Sequence, residues 1–503
     1  MALYIGIDLG TTFSAVATLD KTGRPMILDN SDKLQSPKKN ITSSCVKVDN
    51  DKLVVGDEAR KAFQMGEKNA IGRFKPDIGS SKKFKVGGSQ FSAMDLSAAV
   101  LKTLKKIAED SSDSIAEVVI TVPANFSHEA RTNTIKAAKL AGLNVQNIID
   151  EPTAAALFYA FKSGDSITGK FAVYDLGGGT FDVSVIKLFE GKEVEVITSD
   201  GLQRLGGDDF DKALIKIMKK KFESKFDVRF ESNVHYSLDE AEQDKIVLSH
   251  VQKIQKIIEG EIFEITREEF EEEISPLIEQ TLILCESVLK EAKLDENEID
   301  AVFLAGGSTR IPKVLECIER IFGKKPTQTE NVDEIVALGA SLYAAYRSDR
   351  KYLTATQEAS VNKMHVQDVT SDYFGTLAFR NDNKNEKMEE YVDIIIEKNA
   401  KRPCENTEVF FTRYEGQEAV DCSVTQSKTS EEDPKFVNVI WQGKLKLPKN
   451  RPAEREIHVT FSYDVNSIMH CKFEDKETGK ITEIDLSMDE SQPTSEIDKF
   501  LVD

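Results

Sequence analysis

The chain has no paired cysteines. Its six, Cys45, Cys285, Cys317, Cys404, Cys422 and Cys471, lie far apart among 503 residues, which excludes a disulfide frame or zinc ribbon and indicates buried thiols in a reducing compartment. Long hydrophobic runs are also missing. The two longest, around Pro152–Phe161 and Ile335–Tyr346, stop well short of the ~20 residues that a membrane span needs. The opening Met1 to Asp8 carries no basic segment, so no signal peptide is expected. Positive charge is scarce: 66 basic against 86 acidic residues give a net charge of −20. That balance repels phosphate backbones and argues against non-specific nucleic-acid binding. His128, His235, His250, His365, His458 and His470 show no metal-ligand spacing, and no Gly-x-Ser-x-Gly nucleophile motif occurs. These absences predict a cytoplasmic protein with neither membrane nor nucleic acid as partner.

What is present is enough apolar residue, 40% of the chain, to build large cores. The length suits two or three domains. Up to about residue 350 short apolar strands alternate with helical patterns, an α/β signature. Strands are expected at Leu3–Leu9, Glu117–Val122, Phe171–Asp175, Asp182–Leu188 and Ala301–Ala305, with two lobes dividing near 163–170. Ser127 can cap a helix that stops at Gly142. Thr266 to Glu269 is a capping box, followed by Phe270, Ile274, Ile278, Cys285 and Leu289 on one face. The acidic run Glu268–Glu273 is that helix's solvated face at its positive end. Periodicity fades over 351–370, which reads as a linker. From 371 to 487 the pattern turns to period two, in Glu408–Tyr414, Ala419–Val424, Phe436–Trp441 and Ile457–Tyr463, and predicts an all-β sandwich with Phe436, Ile440 and Trp441 in its core. Residues 488–503 read as an acidic tail with room for a frayed helix at most.

Three loops carry chemistry. Ile5-Gly-Ile-Asp-Leu-Gly-Thr-Thr-Phe-Ser and Ala172-Val-Tyr-Asp-Leu-Gly-Gly-Gly-Thr-Phe-Asp are near-copies, each a strand, a glycine turn and a second strand. Glycines bring amide N–H groups close to phosphate oxygens, and threonines add hydroxyl donors. Asp8 and Asp175 end their strands as acceptors suited to hydrated Mg2+. One such turn alone reads as an ordinary hairpin; two copies one lobe apart do not. The third loop, Ala301-Val-Phe-Leu-Ala-Gly-Gly-Ser-Thr-Arg-Ile-Pro, joins a buried strand to a helix and offers a glycine floor on which a purine can lie.

Together these residues resemble the DnaK-type seventy-kilodalton heat-shock chaperones of the actin-like ATPase superfamily. Ile148–Leu157, Leu205–Asp211, Glu242–Ser249 and Val336–Leu342 resemble the family's connecting, phosphate-side and adenine-side segments. The resemblance implies an actin-like, two-lobed α/β ATPase domain followed by an all-β sandwich resembling a peptide-binding domain. It also implies ATP or ADP, Mg2+ and, as a further ion, K+. Asp8 and Asp175 would hold Mg2+ through water. Lys75, Glu151, Thr180 and Asp182 would be catalytic, with Lys82 and Lys83 as competitors of Lys75. Gly10, Thr11, Thr12, Phe13, Gly177, Gly178, Gly179, Gly206 and Gly207 would meet phosphate. Glu242, Lys245, Ser249, Gly306, Gly307, Ser308, Arg310 and Asp333 would surround adenosine. Pro123 and Arg131 would relay nucleotide state between domains.

The chain departs from the family at Phe13, where tyrosine is usual, at Asn125, and in the polar segment Met364-His-Val-Gln-Asp-Val-Thr, where the linker is usually leucine-rich. Apolar docking of that linker would be weak. In the β part, Phe379, Arg413, Val420 and Cys422 fall where the family lines its peptide groove, equally compatible with core positions, and the helical lid is expected to be absent. The expected function is an ATP-dependent chaperone binding extended polypeptide, with a J-domain co-chaperone and a nucleotide-exchange factor as implied partners. A nucleotide-gated adaptor for one dedicated protein is the alternative; a sugar-kinase-like enzyme of the same superfamily is disfavoured by the β part.

Overall fold

The strand Ala2–Asp8 buries Tyr4, Ile5 and Ile7 almost completely, because helices or further chain cover both of its faces. In the computed structural model, which describes residues 2–28, 40–111, 114–164, 167–190, 193–327, 331–362, 364–382, 387–464, 468–485 and 496–502, this strand is central to the first of two similar sheets. It runs parallel to Ser114–Val122, which runs parallel to Val145–Asp150, and turns at Gly10 into the antiparallel strand Phe13–Leu19. The second sheet repeats the plan. Gly169–Leu176 runs parallel to Ala301–Ala305 and turns at Gly177 into the antiparallel strand Phe181–Phe189, with Glu193–Leu202 beyond.

Helix Ile335–Arg347 packs on the first sheet, and helix Glu151–Ser163 reaches the second. The two helices cross so closely that a Cβ at Gly339 would fall on the carbonyl of Ala154. Helix Arg267–Ala292 starts at the expected capping box, where Thr266 accepts from the Glu269 amide and Glu269 returns to the Thr266 amide. It buries the same five residues that its periodicity selected. Ser127 likewise caps His128–Leu140, and Gly142 follows with a positive φ of 70°.

The chain divides into two compact units, Met1–Val366 with Pro493–Asp503, and Gln367–Gln492. Residues 350–361, read as linker from sequence, are ordered in the first unit. Arg350–Tyr352 is a short 3-10 turn, and Ala355–Val361 is a helix opened by a Thr354/Gln357 capping box. The Gln357 amide donates to the carbonyls of Leu19 and Asp20, contacts that no local pattern announces. The end of the tail differs too: Glu496–Lys499 is a 3-10 turn and Leu501–Val502 a strand, with Ile497 fully buried. Residues 488–495, and 165–166 within the expected lobe boundary, lie outside the described residues.

The second unit holds two antiparallel four-stranded sheets. One runs Lys387–Ile396, Tyr373–Asp382, Ala419–Ser427, Asn438–Lys446; the other Cys404–Phe411, Glu456–Tyr463, Met469–Asp475, Lys480–Asp485. Phe374, Ile396, Val424 and Leu445 of the first share one core with Ile457, Val459, Phe461 and Phe473 of the second. Trp441 stacks on Phe473 at 5.7 Å, and Ile440 packs beside the core. Phe436 does not join them: it is 70% exposed, because Pro434–Phe436 is a 3-10 turn and the strand begins only at Asn438.

Candidate nucleotide site

The two glycine hairpins face each other across the first unit. Each is closed by its own backbone and side chains: the Gly10 amide donates to Ser14 Oγ at 3.1 Å, and the Gly177 amide to the Thr180 carbonyl at 3.1 Å. The Gly206-Gly207 loop is sewn to the second hairpin, with the Gly207 amide on the Gly177 carbonyl and the Asp208 amide on the Gly178 carbonyl. Packing there leaves no room for a side chain, since a Cβ at Gly206 would stand 2.6 Å from Gly178 O and from Gly179 N. Ser308, on the third loop, donates its hydroxyl to the Gly177 carbonyl at 2.9 Å. Three loops distant in sequence therefore meet at Gly177.

Five ionisable side chains gather at the ends of the hairpin strands. Lys75 is buried and donates to Glu151 Oε1 at 2.6 Å, within electrostatic reach of Asp8 and Asp182. Burial opposes the Lys75 charge, but Glu151, Asp8 and Asp182 outweigh it and hold the ammonium above its ordinary pKa. Burial first, then repulsion from Glu151, pushes the Asp8 carboxyl up to about 7. The same two causes raise Asp175 and Asp182 well above the carboxylate range. Four carboxylates against one ammonium leave a surplus of negative charge that a cation would relieve. Among the described residues no three acidic, His or Cys side chains lie close enough to grip an ion directly. That donor set suits an ion that keeps its water and leans on phosphate, as Mg2+ does. Thr11 Oγ1, Thr12 Oγ1 and Asp182 Oδ1 are buried with no partner among the described residues. Orphans of this kind are costly unless a ligand satisfies them.

Beyond the hairpins opens a cavity of about 240 Å³, lined by Thr12, Phe13, Gly178, Gly207, Glu242, Lys245, Ser249, Gly307, Ser308, Arg310 and Asp333, among others. All of these were singled out in the sequence. Lys245 donates to the Gly207 carbonyl at 3.0 Å and pairs with Asp211 at 2.7 Å, while Arg310 pairs with Asp333 at 2.6 Å. Lys82 and Lys83 are exposed and lie apart; Lys82 pairs with Asp77. Pro123 and Arg131 are buried, and Arg131 bonds Asp150, the residue before Glu151, at 2.5 Å and the Ala124 carbonyl at 2.9 Å.

Sequence reasoning missed several neighbours. Ile41, Ile246 and His250 also line the cavity. Arg60 lies 4.4 Å over the Phe13 ring and pairs with Glu242, which Gln64 also contacts at 3.2 Å. The ring at position 13 thus serves as a seat for a guanidinium. Arg60 and Gln64 sit on helix Asp57–Gln64 without any motif, so only the fold reveals them. In the second unit, Phe379 is 47% exposed with the Arg413 guanidinium 4.4 Å above its ring. Val420 is half-buried. Cys422 lies inside the core and lines no surface, because its side of the strand faces the other sheet.

A cleft that presents two glycine hairpins, a carboxylate cluster and a purine-sized cavity defines a nucleotide-binding unit. The sequence profile described as Hsp70 protein matches residues 4–86 and 81–503. The chain is also 36% identical over 516 aligned residues to the chaperone protein DnaK of Mycoplasma mobile, covering 99% of this chain and 80% of that protein. The chain belongs to the Hsp70 family of ATP-binding chaperones. No helix among the described residues is long and apolar enough to cross a membrane.

Proposed function

We propose that the first unit is an actin-like ATPase domain that hydrolyses ATP, and that hydrolysis controls the hold of the second unit, a peptide-binding β-sandwich, on extended polypeptide. The observation that carries this reading is the convergence of Lys75, Glu151, Asp8, Asp175 and Asp182 at the facing hairpins, beside buried hydroxyls without partners. Positioning and charge neutralisation carry phosphoryl transfer to water. Lys75, held charged, stabilises negative charge growing on the γ-phosphate oxygens. Glu151 and Asp182 accept hydrogen bonds from the attacking water and orient it in line. Thr180 and the Thr11–Thr12 pair donate hydroxyls to phosphate. Asp8 and Asp175 would hold hydrated Mg2+, which supplies neutralising charge for the phosphates.

Coupling between the nucleotide and polypeptide sites is weak in this reading. Gln367 donates to the Arg402 carbonyl at 2.6 Å, and Asp368 pairs with Arg402 at 2.7 Å. Gln367 and Asp368 are thus already satisfied within the second unit, and the polar character of the segment offers little apolar area to reward another arrangement. Unfolded polypeptide, a J-domain co-chaperone and a nucleotide-exchange factor are the partners this reading implies. The test is the ATPase rate with and without an unfolded peptide, joined to peptide dissociation in ADP and in ATP. We expect stimulation, and an affinity change on ATP binding of less than about tenfold, or ~1.4 kcal/mol. No ATP turnover refutes the enzyme; release a hundred times faster with ATP refutes weak coupling.

Arg413 over Phe379 favours a second reading, an adaptor dedicated to one protein, because the guanidinium covers apolar surface that a general peptide groove would offer. Binding to many apolar peptides on an array supports the chaperone; binding to none supports the adaptor.

A further inference from the structure

In the first unit, strand Lys52–Val55 pairs antiparallel with Cys45–Asp49 on one side. Its other side would be an unpaired edge, the part of a sheet most prone to stray association. Residues 501 and 502 fill it. Leu501–Val502 runs parallel to it, with Leu501 opposite Lys52 and Val502 opposite Leu53, and the Leu501 amide donates to the Asp51 carbonyl at 3.0 Å. Side chains fix the register. Ile497 is fully buried in the first unit's core, in the cluster that holds Leu53, Phe91 and Leu96. Phe500 packs on Phe91 with ring centroids 5.6 Å apart. Within a polar, acidic stretch the apolar residues thus fall where docking needs them, at 497, 500 and 502, while Leu501 points outward at 67% exposure.

From these contacts we propose that residues 496–502 form a clasp, an intramolecular strand that returns the end of the chain to the first unit and tethers the second unit at both of its ends. The second unit's last described strand ends at Asp485, and the clasp begins at Glu496. However the ten residues between are arranged, they cannot span more than ~40 Å. Opening the clasp releases one of the second unit's two connections and so widens the range of arrangements open to the chain. Because the tail is covalently attached, its effective concentration at the edge is in the millimolar range for a short connection, so a contact of modest strength keeps it closed. This inference does not depend on the nucleotide chemistry.

The test uses the full chain and two variants. Ile497→Asp puts a charge in the buried slot. Leu501→Pro removes the amide that bonds Asp51 while changing only an exposed side chain, so it stays informative if the first variant misfolds. Hydrogen exchange of the 51–55 segment and the radius of gyration by X-ray scattering, at several concentrations, are read in parallel. We expect exchange at 51–55 at least tenfold faster in both variants, a larger radius of gyration, and ATP affinity within twofold of the unaltered chain. Unchanged exchange in Leu501→Pro overturns the clasp. Faster exchange with an unchanged radius overturns the tether. A radius that grows with concentration in the unaltered chain overturns the intramolecular assignment, since the tail would then be docking on a second copy.

Discussion

The nucleotide cleft and the candidate polypeptide surface are built on opposite terms. In the cleft, Lys75 and Glu151 are buried and paired at 2.6 Å, the Ser308 hydroxyl is tied to backbone at 2.9 Å, and loops touch so closely that glycine is compulsory. On the second unit, Phe379, Val409, Phe411 and Phe436 lie 43–70% exposed on strands and turns, and one guanidinium covers one ring. Phosphate and a divalent cation demand fixed charge in fixed geometry, whereas an extended polypeptide demands apolar area and backbone groups, which many sequences supply. The first region tolerates almost no drift; the second tolerates much.

The sharpest attack on that contrast is Lys75→Ala. Single-turnover ATP hydrolysis should fall about 10²–10³-fold, the loss seen when one donor to developing oxyanion charge is removed. ATP binding by calorimetry should change only a few-fold, because cavity contacts are untouched. A wild-type rate would move the role elsewhere. Gly206→Ala comes next: its methyl would meet Gly178 O and Gly179 N at 2.6 Å, so the phosphate loops must part. We expect ATP affinity to fall at least tenfold with little change in the second unit's melting. In the second unit the corresponding change should be small and of opposite sign. Arg413→Ala frees the Phe379 ring, and a cation–π contact at an exposed site is worth ~0.5–1 kcal/mol. Apolar-peptide affinity, measured by anisotropy, should rise about two- to fivefold; a fall would show that Arg413 itself recognises the ligand.

The smallest effect is one of pH. Burial raises the Asp208 carboxyl to about 6, despite the nearby Arg73. The folded state then holds this proton more tightly than the unfolded one, so the stabilisation is complete below about pH 4 and lost as pH rises through 6. The melting temperature of the nucleotide-free chain, compared with Asp208→Asn, should lose a few degrees of relative advantage between pH 4.5 and 7. A flat difference would mean that Arg73 keeps the carboxyl ionised throughout.

Legibility in the sequence followed the same division. Strand–turn–strand repeats ending in Asp8 and Asp175 could be read because glycine, threonine and aspartate each have a stated task there. Lys75 could be chosen over Lys82 and Lys83 only by motif context, and burial separates them. Arg60 could not be read: its partners Phe13 and Glu242 are brought to it by the fold, from far along the chain. Ala355–Val361 was legible in principle, through the Thr354/Gln357 box, but its seven residues carry too short a period to stand out. Cys422, compatible with either groove or core, took the core, whereas Phe436 left its expected core place for a local reason. Period two tells alternate faces apart without telling which face looks inward, and a 3-10 turn shifted the start of one strand.

The crossing of helices Glu151–Ser163 and Ile335–Arg347 has a mechanical consequence. At the crossing the Gly339 backbone lies directly on the Ala154 carbonyl with no side chain between them, and one helix sits on each lobe's sheet. Smooth, close-packed surfaces can slide with little change in buried area, unlike interlocked large side chains. A backbone-on-backbone crossing of this kind would act as a bearing. The expected consequence is that the opening angle of the cleft answers to what lies inside it, Arg60 with Glu242 or a bound nucleotide. Affinity for nucleotide and the angular distribution of the empty lobes become two measurements of one free energy, and a variant such as Gly339→Val, which roughens the bearing, should alter both together.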